Sequence, residues 1–395
     1  MGAVALGCAA LLLCAQQGAV AQSAATPTPI TDYAAEAREF EKLVNQWYAY
    51  PERLPEGQYR LTDHLRDEAT KASDRRSLLR FAERAILLLA DHHAILGSSF
   101  ADSWAIVPSY SDMWVERRDR RYVITAVRPG SPAAAAGITA GGLLLAVDHN
   151  PTGVAVASFW SDLGATGGEE RDPFAARVLA AGRRDRERRL TVRLPGKRAS
   201  EFVLANLYGR SADATLLSVT EADGELRIAF NNSLGDSATI EAFDVAMLRA
   251  RPGQHVTLDL RNTPGGGNTT VARAIMGWFV QRPTPYQRHA LPSEQRNTGI
   301  AREWLELVLP REGKFHAGPV KVSVGRWTGS MGEGMALGFR EIGACVVGEP
   351  MAGLLGAIGD FEIGATGLKV KLPFERLMSV AGIPREQFSP AVACR

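Results

Sequence analysis

The chain has 395 residues, 46% of them hydrophobic, which is enough for two or three globular domains. A formal net charge of +2 at pH 7 argues against a nucleic-acid partner, and the one basic cluster, Arg183–Arg189, is interrupted by acidic residues. No apolar run after the first 21 residues reaches the roughly 18 residues that a membrane span needs, so we expect no integral membrane segment in the mature protein.

Residues 1–21 are typical of an export signal. Val4–Ala15 is a short apolar run, and Ala19-Val20-Ala21 has the small-x-small form of a cleavage site, although no Lys or Arg precedes the run. A polar linker over 22–32 would follow. We therefore expect an exported protein, periplasmic or secreted. Its two remaining cysteines, Cys345 and Cys394, allow one disulfide, but the apolar surroundings of Cys345 favour a buried thiol.

Residues 33–99 have a helical pattern. Phe40, Val44 and Trp47 recur at a spacing of three to four residues, and two further helices are predicted over about 61–69 and 77–89. The region ends in the sequence DHHAIL, Asp91–Leu96. A histidine at a helix end is usually a cap or a surface residue, so this stretch by itself does not indicate a function.

Residues 100–205 change to short strands. The stretch Tyr122–Pro151, YVITAVRPGSPAAAAGITAGGLLLAVDHNP, is similar to the core of a PDZ domain, although Leu143 stands where that family has Asp. The resemblance implies that this region binds the C-terminal end of a peptide or protein by β-addition. The alternative is an ordinary αβ module with a Pro-Gly turn.

Residues 206–395 have an α/β pattern with two unusual strand ends. LDLRNTPGGG places Gly265–Gly267 directly after a buried strand, which exposes backbone amides, yet no P-loop or Rossmann pattern follows. Ser330 opens a helix after the strand Val320–Val324. It is either an N-cap or a nucleophile. In the second case the amides of Met331 and of Gly266 or Gly267 would hold the oxyanion.

These motifs in order, with the later VVGEPMAG, resemble the serine peptidases that include the C-terminal processing (tail-specific) peptidases and the tricorn core. The resemblance implies a multidomain α+β protein whose nucleophile is Ser330. Glu333 matches a helix glutamate with a structural role in that family. The implied organisation is a signal peptide (1–21), a linker (22–32), an N-terminal helical domain (33–99), a PDZ-like domain (100–205) and a crotonase-like α/β catalytic domain (206–395).

The general base departs from the tail-specific pattern, because no lysine occurs between Ser330 and Lys369. DHHAIL is similar to the stretch that supplies a histidine base in the tricorn-like branch, which predicts His93 as the base and leaves His92 as its competitor. The residue that orients the base stays open.

Glu375 and Glu386 are the candidates for that orienting residue, and Ser379 is a weaker one. No spacing of His, Cys or acidic residues indicates a metal site, and no cofactor is expected. The sequence therefore predicts an exported serine endopeptidase that acts on proteins or peptides. The alternative is a peptide-binding or scaffolding protein of the same ancestry that has lost catalysis.

Overall fold

The computed structural model describes residues 32–209 and 215–394. The predicted export signal and residues 22–31 of the predicted linker lie outside the described residues. Asp32, the last residue assigned to the linker, is the N-cap of the first helix, since its carboxylate accepts from the N–H of Ala35.

The described residues form a mixed α+β protein. Its α-helices are α1 (Tyr33–Trp47), α2 (Asp63–Thr70), α3 (Arg75–Ala85), α4 (Pro132–Ala135), α5 (Thr152–Ser161), α6 (Asp172–Ala181), α7 (Ala238–Met247), α8 (Thr269–Met276), α9 (Pro292–Thr298) and α10 (Met331–Glu341). Its strands are β1 (Ile95–Leu96), β2 (Met113–Arg118), β3 (Arg121–Val127), β4 (Leu143–Val147), β5 (Asn150–Pro151), β6 (Arg188–Arg193), β7 (Ala199–Leu204), β8 (Leu217–Ala222), β9 (Glu225–Phe230), β10 (His255–Asp259), β11 (Thr284–Ala290), β12 (Glu303–Val308), β13 (Val320–Val324), β14 (Cys345–Gly348), β15 (Ala357–Ile363) and β16 (Leu368–Met378). None of the described helices combines the length and the apolar character needed to cross a bilayer.

Helices α1 to α3 share an apolar core with a sheet whose strands, except β1, come from the C-terminal half of the chain. That sheet has the order β1-β16-β11-β12, and β15 also pairs with β16. Phe40 and Val44 of α1 are fully buried in one apolar cluster with Val370 and Leu372 of β16. Strand β1 pairs antiparallel with β16, so the residues just before β1 lie beside the C-terminal part of the chain.

A second, antiparallel sheet has the order β2-β3-β4-β6-β7, with β5 on β4. Its inward side chains, among them Ile124, Leu144 and Val192, form a core with Trp160 of α5 and Phe174 of α6. Strand β2 is at one edge of this sheet, and α6 packs beside it.

The third sheet has the order β14-β13-β10-β9-β8. Strands β9, β10, β13 and β14 run parallel, whereas β8 pairs antiparallel with β9. The strands β10 and β13 are neighbours, with Asp259 opposite Ser323. Their carboxyl ends therefore meet at one edge of the sheet, which is where α/β proteins of this kind bind ligands.

Cys345 is bonded to Cys394, so the free, buried thiol that the sequence favoured for Cys345 is wrong. The reason is the path of the chain end, which returns along β14. The N–H of Ala391 donates to the carbonyl of Val346 (2.9 Å), and the N–H of Gly348 donates to the carbonyl of Ala391 (3.2 Å). The two cysteines thereby lie with their Cα atoms 5.8 Å apart.

Candidate active site

The turns after β10 and β13 are held together by hydrogen bonds that continue the parallel ladder beyond the strands. The N–H of Thr263 donates to Trp327 (2.9 Å), and the N–H of Gly329 donates to Thr263 (3.2 Å). The hydroxyl of Thr328 donates to the carbonyl of Leu260 (2.8 Å). This ladder brings the glycine-rich turn against the start of α10.

Ser330 has φ +49° and ψ −112°, a backbone conformation that a side-chain-bearing residue rarely adopts. Conformations of this kind persist only where the surroundings enforce them, and they concentrate at functional sites. The residue is half-buried and directly precedes α10. Its own N–H donates to the carboxylate of Glu333 (2.8 Å), so the side chain at the third helical position satisfies the amide of the residue before the helix.

Gly266 approaches Ser330 so closely that no side chain fits between them. A Cβ on Gly266 would lie 2.5 Å from the Cβ of Ser330 and 3.2 Å from the backbone N of Met331, and Gly266 also has φ +65°. The N–H of Gly266 is committed to the carbonyl of Thr263 (3.1 Å). Within the described residues, the N–H groups of Gly267 and Met331 have no acceptor, so these two of the three predicted donors are free to hold an oxyanion.

Glu333 is buried, with 1% of its surface exposed, and binds three backbone amides. Besides Ser330, its carboxylate accepts from the N–H of Gly353 (2.8 Å) and of Leu354 (3.2 Å). Burial raises the pKa of Glu333 to about 7, although Arg385 and the three amides oppose the rise. The sequence predicted only a structural helix residue here, because its partners on the 353–354 segment are distant in the chain.

His93 lies at the junction of the helical region and the C-terminal region. Its ring Nδ1 is 2.6 Å from the carbonyl oxygen of Leu355. Its backbone N–H donates to the carboxylate of Asp91 (2.8 Å), which also accepts from the hydroxyl of Tyr48 (2.9 Å). Burial lowers the pKa of His93 to about 4, and the charge of Arg385 contributes to the lowering. The ring is therefore neutral at physiological pH.

His92 faces away from this cluster. Its Nε2 accepts from Nε of Arg177 (2.9 Å), and its ring stacks on Phe174 at 4.5 Å. Burial and the charge of Arg177 hold the pKa of His92 well below its usual value. Of the lysines after Ser330, Lys369 is exposed on β16 and Lys371 binds Asp360 (2.7 Å).

The structure separates the three candidates for the orienting residue. The carboxylate of Glu375 binds Nδ1 of His289 (3.0 Å), and the hydroxyl of Ser379 accepts from the N–H of Ile383 (3.0 Å). Glu386 acts on Asp91, whose carboxylate binds the backbone N–H of His93: burial raises the pKa of Asp91 to about 6, and the charge of Glu386 adds to the rise. The buried Oε2 of Glu386 has no hydrogen-bond partner among the described residues. Glu375, one of the two main candidates from the sequence, thus contacts His289 of β11.

Nothing in the sequence marked Arg385 as a site residue except its place beside Glu386. Its Nη2 donates to the carbonyls of Leu354 and Gly356, each at 2.8 Å. Nearby, the buried hydroxyl of Tyr50 has no partner within the described residues. No group of three or more His, Cys, Asp or Glu side chains in the described part of the chain could hold a metal ion.

No family model matches the sequence, and no curated protein sequence matches it significantly. Solved structures do. The photosystem II D1 C-terminal processing protease matches with a TM-score of 0.53 at 15% identity, over 92% of this chain and 93% of that one. The chain has the fold of the tail-specific peptidases.

Mature CPAF has the same fold, with a TM-score of 0.55 at 14% identity over 91% of this chain and 92% of that one. CPAF complexed with lactacystin gives a TM-score of 0.54 at 14% identity, over 91% and 93%. The resemblance to tail-specific peptidases that the motifs predicted is confirmed for the fold. In this tail-specific peptidase fold, Ser330 and Gly266 meet at the carboxyl edge of the parallel strands β10 and β13.

Proposed function

We propose that the protein is an exported serine endopeptidase that hydrolyses peptide bonds of protein substrates through an acyl-enzyme at Ser330, with His93 as base. The observation that carries the proposal is the positive φ of Ser330 at a helix start, where it is pressed against Gly266 and precedes the amide of Met331, which has no acceptor among the described residues. An ordinary N-cap serine needs neither the strained backbone nor the glycine contact.

In the proposed reaction, Nε2 of His93 takes the hydroxyl proton of Ser330 as its Oγ attacks the peptide carbonyl carbon. The N–H groups of Met331 and Gly267 stabilise the oxyanion. His93 then gives its proton to the leaving amine as the C–N bond breaks, which leaves the acyl-enzyme. Water, deprotonated by His93, hydrolyses the ester and restores Ser330.

Two features suit His93 to this role. A carbonyl oxygen only accepts hydrogen bonds, so the contact with Leu355 requires the proton on Nδ1 and leaves the lone pair on Nε2. We further propose Glu386 as the carboxylate that stabilises the imidazolium, because its buried Oε2 has no hydrogen-bond partner among the described residues and its charge reaches Asp91, which binds the backbone of His93. Burial is the main reason that the pKa values of Asp91 and Tyr50 are raised, and the negative charge of Glu386 adds to both rises.

The domain assignment belongs to the same proposal: a helical domain over 33–99, a PDZ-like domain over 100–205 and a crotonase-like catalytic domain over 206–395. The edge position of β2 beside α6 supports binding of a substrate C-terminus there by β-addition. The carbonyl of Val115 in β2 accepts from Arg177 (3.2 Å), so an added strand would replace that contact.

Export is proposed from the signal-like residues 1–21. The disulfide between Cys345 and Cys394 supports it, because disulfides persist in oxidising compartments such as the periplasm or the extracellular space.

The test is labelling with a fluorescent serine-reactive phosphonate, together with hydrolysis of an unstructured protein. The wild type and a Ser200→Ala control, at an exposed position of β7, should be labelled and should hydrolyse the protein equally well. Ser330→Ala should fold but should neither be labelled nor hydrolyse the protein. Absence of labelling and hydrolysis in the wild type would favour the non-catalytic peptide-binding protein. Hydrolysis that survives in Ser330→Ala would assign the chemistry to another residue.

A further inference from the structure

One carboxylate holds two separate segments of the candidate site. Oε2 of Glu333 accepts from the N–H of Ser330 and from that of Leu354, and Oε1 accepts from the N–H of Gly353. The first bond fixes the backbone of the proposed nucleophile. The other two fix the start of the segment 353–356, which we call the linking loop.

The carbonyl groups of the linking loop bind the other side of the site. Leu355 accepts from Nδ1 of His93, while Leu354 and Gly356 accept from Arg385. The N–H groups of Gly353 and Leu354 thus bind Glu333, and the carbonyl of the following residue, Leu355, binds the proposed base. Glu333 and His93 are joined through the backbone of two consecutive residues.

We propose that Glu333, in its carboxylate form, is a positioning residue that holds Ser330 and His93 in register with each other through the linking loop. This inference rests on the proposed function, since it assigns no chemistry of its own to Glu333. It goes beyond a helix cap, because a cap would need only the bond to the N–H of Ser330.

The carboxylate form is required by the number of donors. Three N–H groups converge on two oxygens, and an ionised carboxylate accepts on both. A protonated carboxyl or an amide carries hydrogen on one side, so at least one buried N–H would lose its acceptor. A displacement of about 1 Å between nucleophile and base is enough to cost roughly 100-fold in rate.

The groups facing Glu333 decide where it titrates. They are the guanidinium of Arg385, from the C-terminal segment, and the three backbone amides of α10 and the linking loop. Burial outweighs them and raises the pKa of Glu333 to about 7. Activity should then rise with pH through about 7, whereas titration of His93 alone would place the acid limb near 4.

The experiment compares kcat, KM and phosphonate labelling rate across pH for the wild type, Glu333→Gln and Glu341→Gln. Glu341 is the matched control, because it lies at the other end of α10 and, among the described residues, its side chain binds only Arg340 (3.7 Å). For Glu333→Gln we expect kcat about 100-fold lower at pH 8, KM nearly unchanged, and loss of the titration near pH 7. Glu341→Gln should match the wild type.

The outcomes are distinguishable. A wild type that neither labels nor hydrolyses refutes the proposed function itself. An active wild type with a Glu333→Gln variant of equal kcat, or one changed only in KM or in thermal stability, refutes the positioning role and leaves the peptidase standing. If Glu333→Gln does not fold, Glu333→Asp decides. Its shorter carboxylate cannot span both segments, so a lower kcat with a retained acid limb supports the role, and wild-type kcat refutes it.

Discussion

Nδ1 of His93 lies 2.6 Å from the carbonyl oxygen of Leu355, a residue 262 positions further along the chain. The contact depends on the pairing of β1 with β16, which carries the end of the helical region onto the C-terminal sheet. It selects the tautomer of the ring, since the carbonyl can only accept. A backbone carbonyl, rather than a carboxylate, is therefore the partner that orients the ring of the proposed base at Nδ1.

We expect His93→Ala to lose nearly as much activity as Ser330→Ala, several orders of magnitude, because nucleophile and base act as a unit. Lys369→Ala and Lys371→Ala should keep most of it, since Lys369 is exposed on β16 and Lys371 binds Asp360. The measurement is kcat with a peptide substrate. Near wild-type kcat in His93→Ala, with a loss in a His92 or Lys369 variant, would show that the base is misassigned.

Gly266→Ala should reduce activity at least about 100-fold, because its new Cβ would fall 2.5 Å from that of Ser330. Gly253→Ala is the matched control. Gly253 also has positive φ (+74°), but a Cβ there meets no atom within 4 Å. Both variants share the cost of a side chain at positive φ, and Gly266→Ala adds the clash with Ser330. Gly266→Ala should therefore lose more stability than Gly253→Ala, and it alone should show a large loss of kcat in its folded form. Equal kcat in the two variants would remove the glycine turn from the site.

The titration of His289 should make the free energy of unfolding depend on pH. Burial alone would lower its pKa, but hydrogen bonds to Glu306 (3.1 Å) and Glu375 (3.0 Å), together with their charges, raise it to about 9. Because the pKa of His289 is higher in the folded than in the unfolded protein, its protonation stabilises the fold. The stabilisation is complete at a pH below the unfolded pKa of about 6.5 and is lost as the pH rises through about 9. The loss should be on the order of 2 kcal/mol, since solvent screens part of it.

Urea unfolding between about pH 6.5 and pH 9.5 measures this effect. His289→Gln and Glu375→Gln should both flatten the profile, whereas His255→Gln, at an exposed strand end, should keep the wild-type slope. Glu375→Gln should also retain kcat, in line with its contact to His289 rather than to the base. A large loss of kcat in Glu375→Gln would restore it as the orienting residue.

Removal of the disulfide should lower the free energy of unfolding by roughly 4 kcal/mol, because Cys345 and Cys394 close a long loop in the unfolded chain. Thermal unfolding of the wild type with and without a reductant, and of Cys394→Ser, tests this. The variant should match the reduced wild type, and the reductant should not change it further. A wild type insensitive to reductant, with its thiols shown to be free, would contradict the pairing.

Many helices and strands, the glycine-rich turn and the serine before α10 were predictable from local patterns. Apolar residues at helical spacing predicted α1, and β-branched runs between turn residues predicted β10 and β13. The motif LDLRNTPGGG and the serine before α10 predicted which strand ends meet at the candidate site. These features are readable because helix period, strand alternation and turn residues depend on neighbours within a few positions.

Contacts between distant segments were decided only by the tertiary structure. The partner of Cys345 depends on the return of the chain end along β14, and the partner of Glu375 on the pairing of β11 with β16. Glu333 was recognisable as a helix residue, but not as the acceptor for Gly353 and Leu354. A side chain's type and local spacing fix what it can bind, whereas packing of remote elements selects which of several equivalent donors and acceptors it meets.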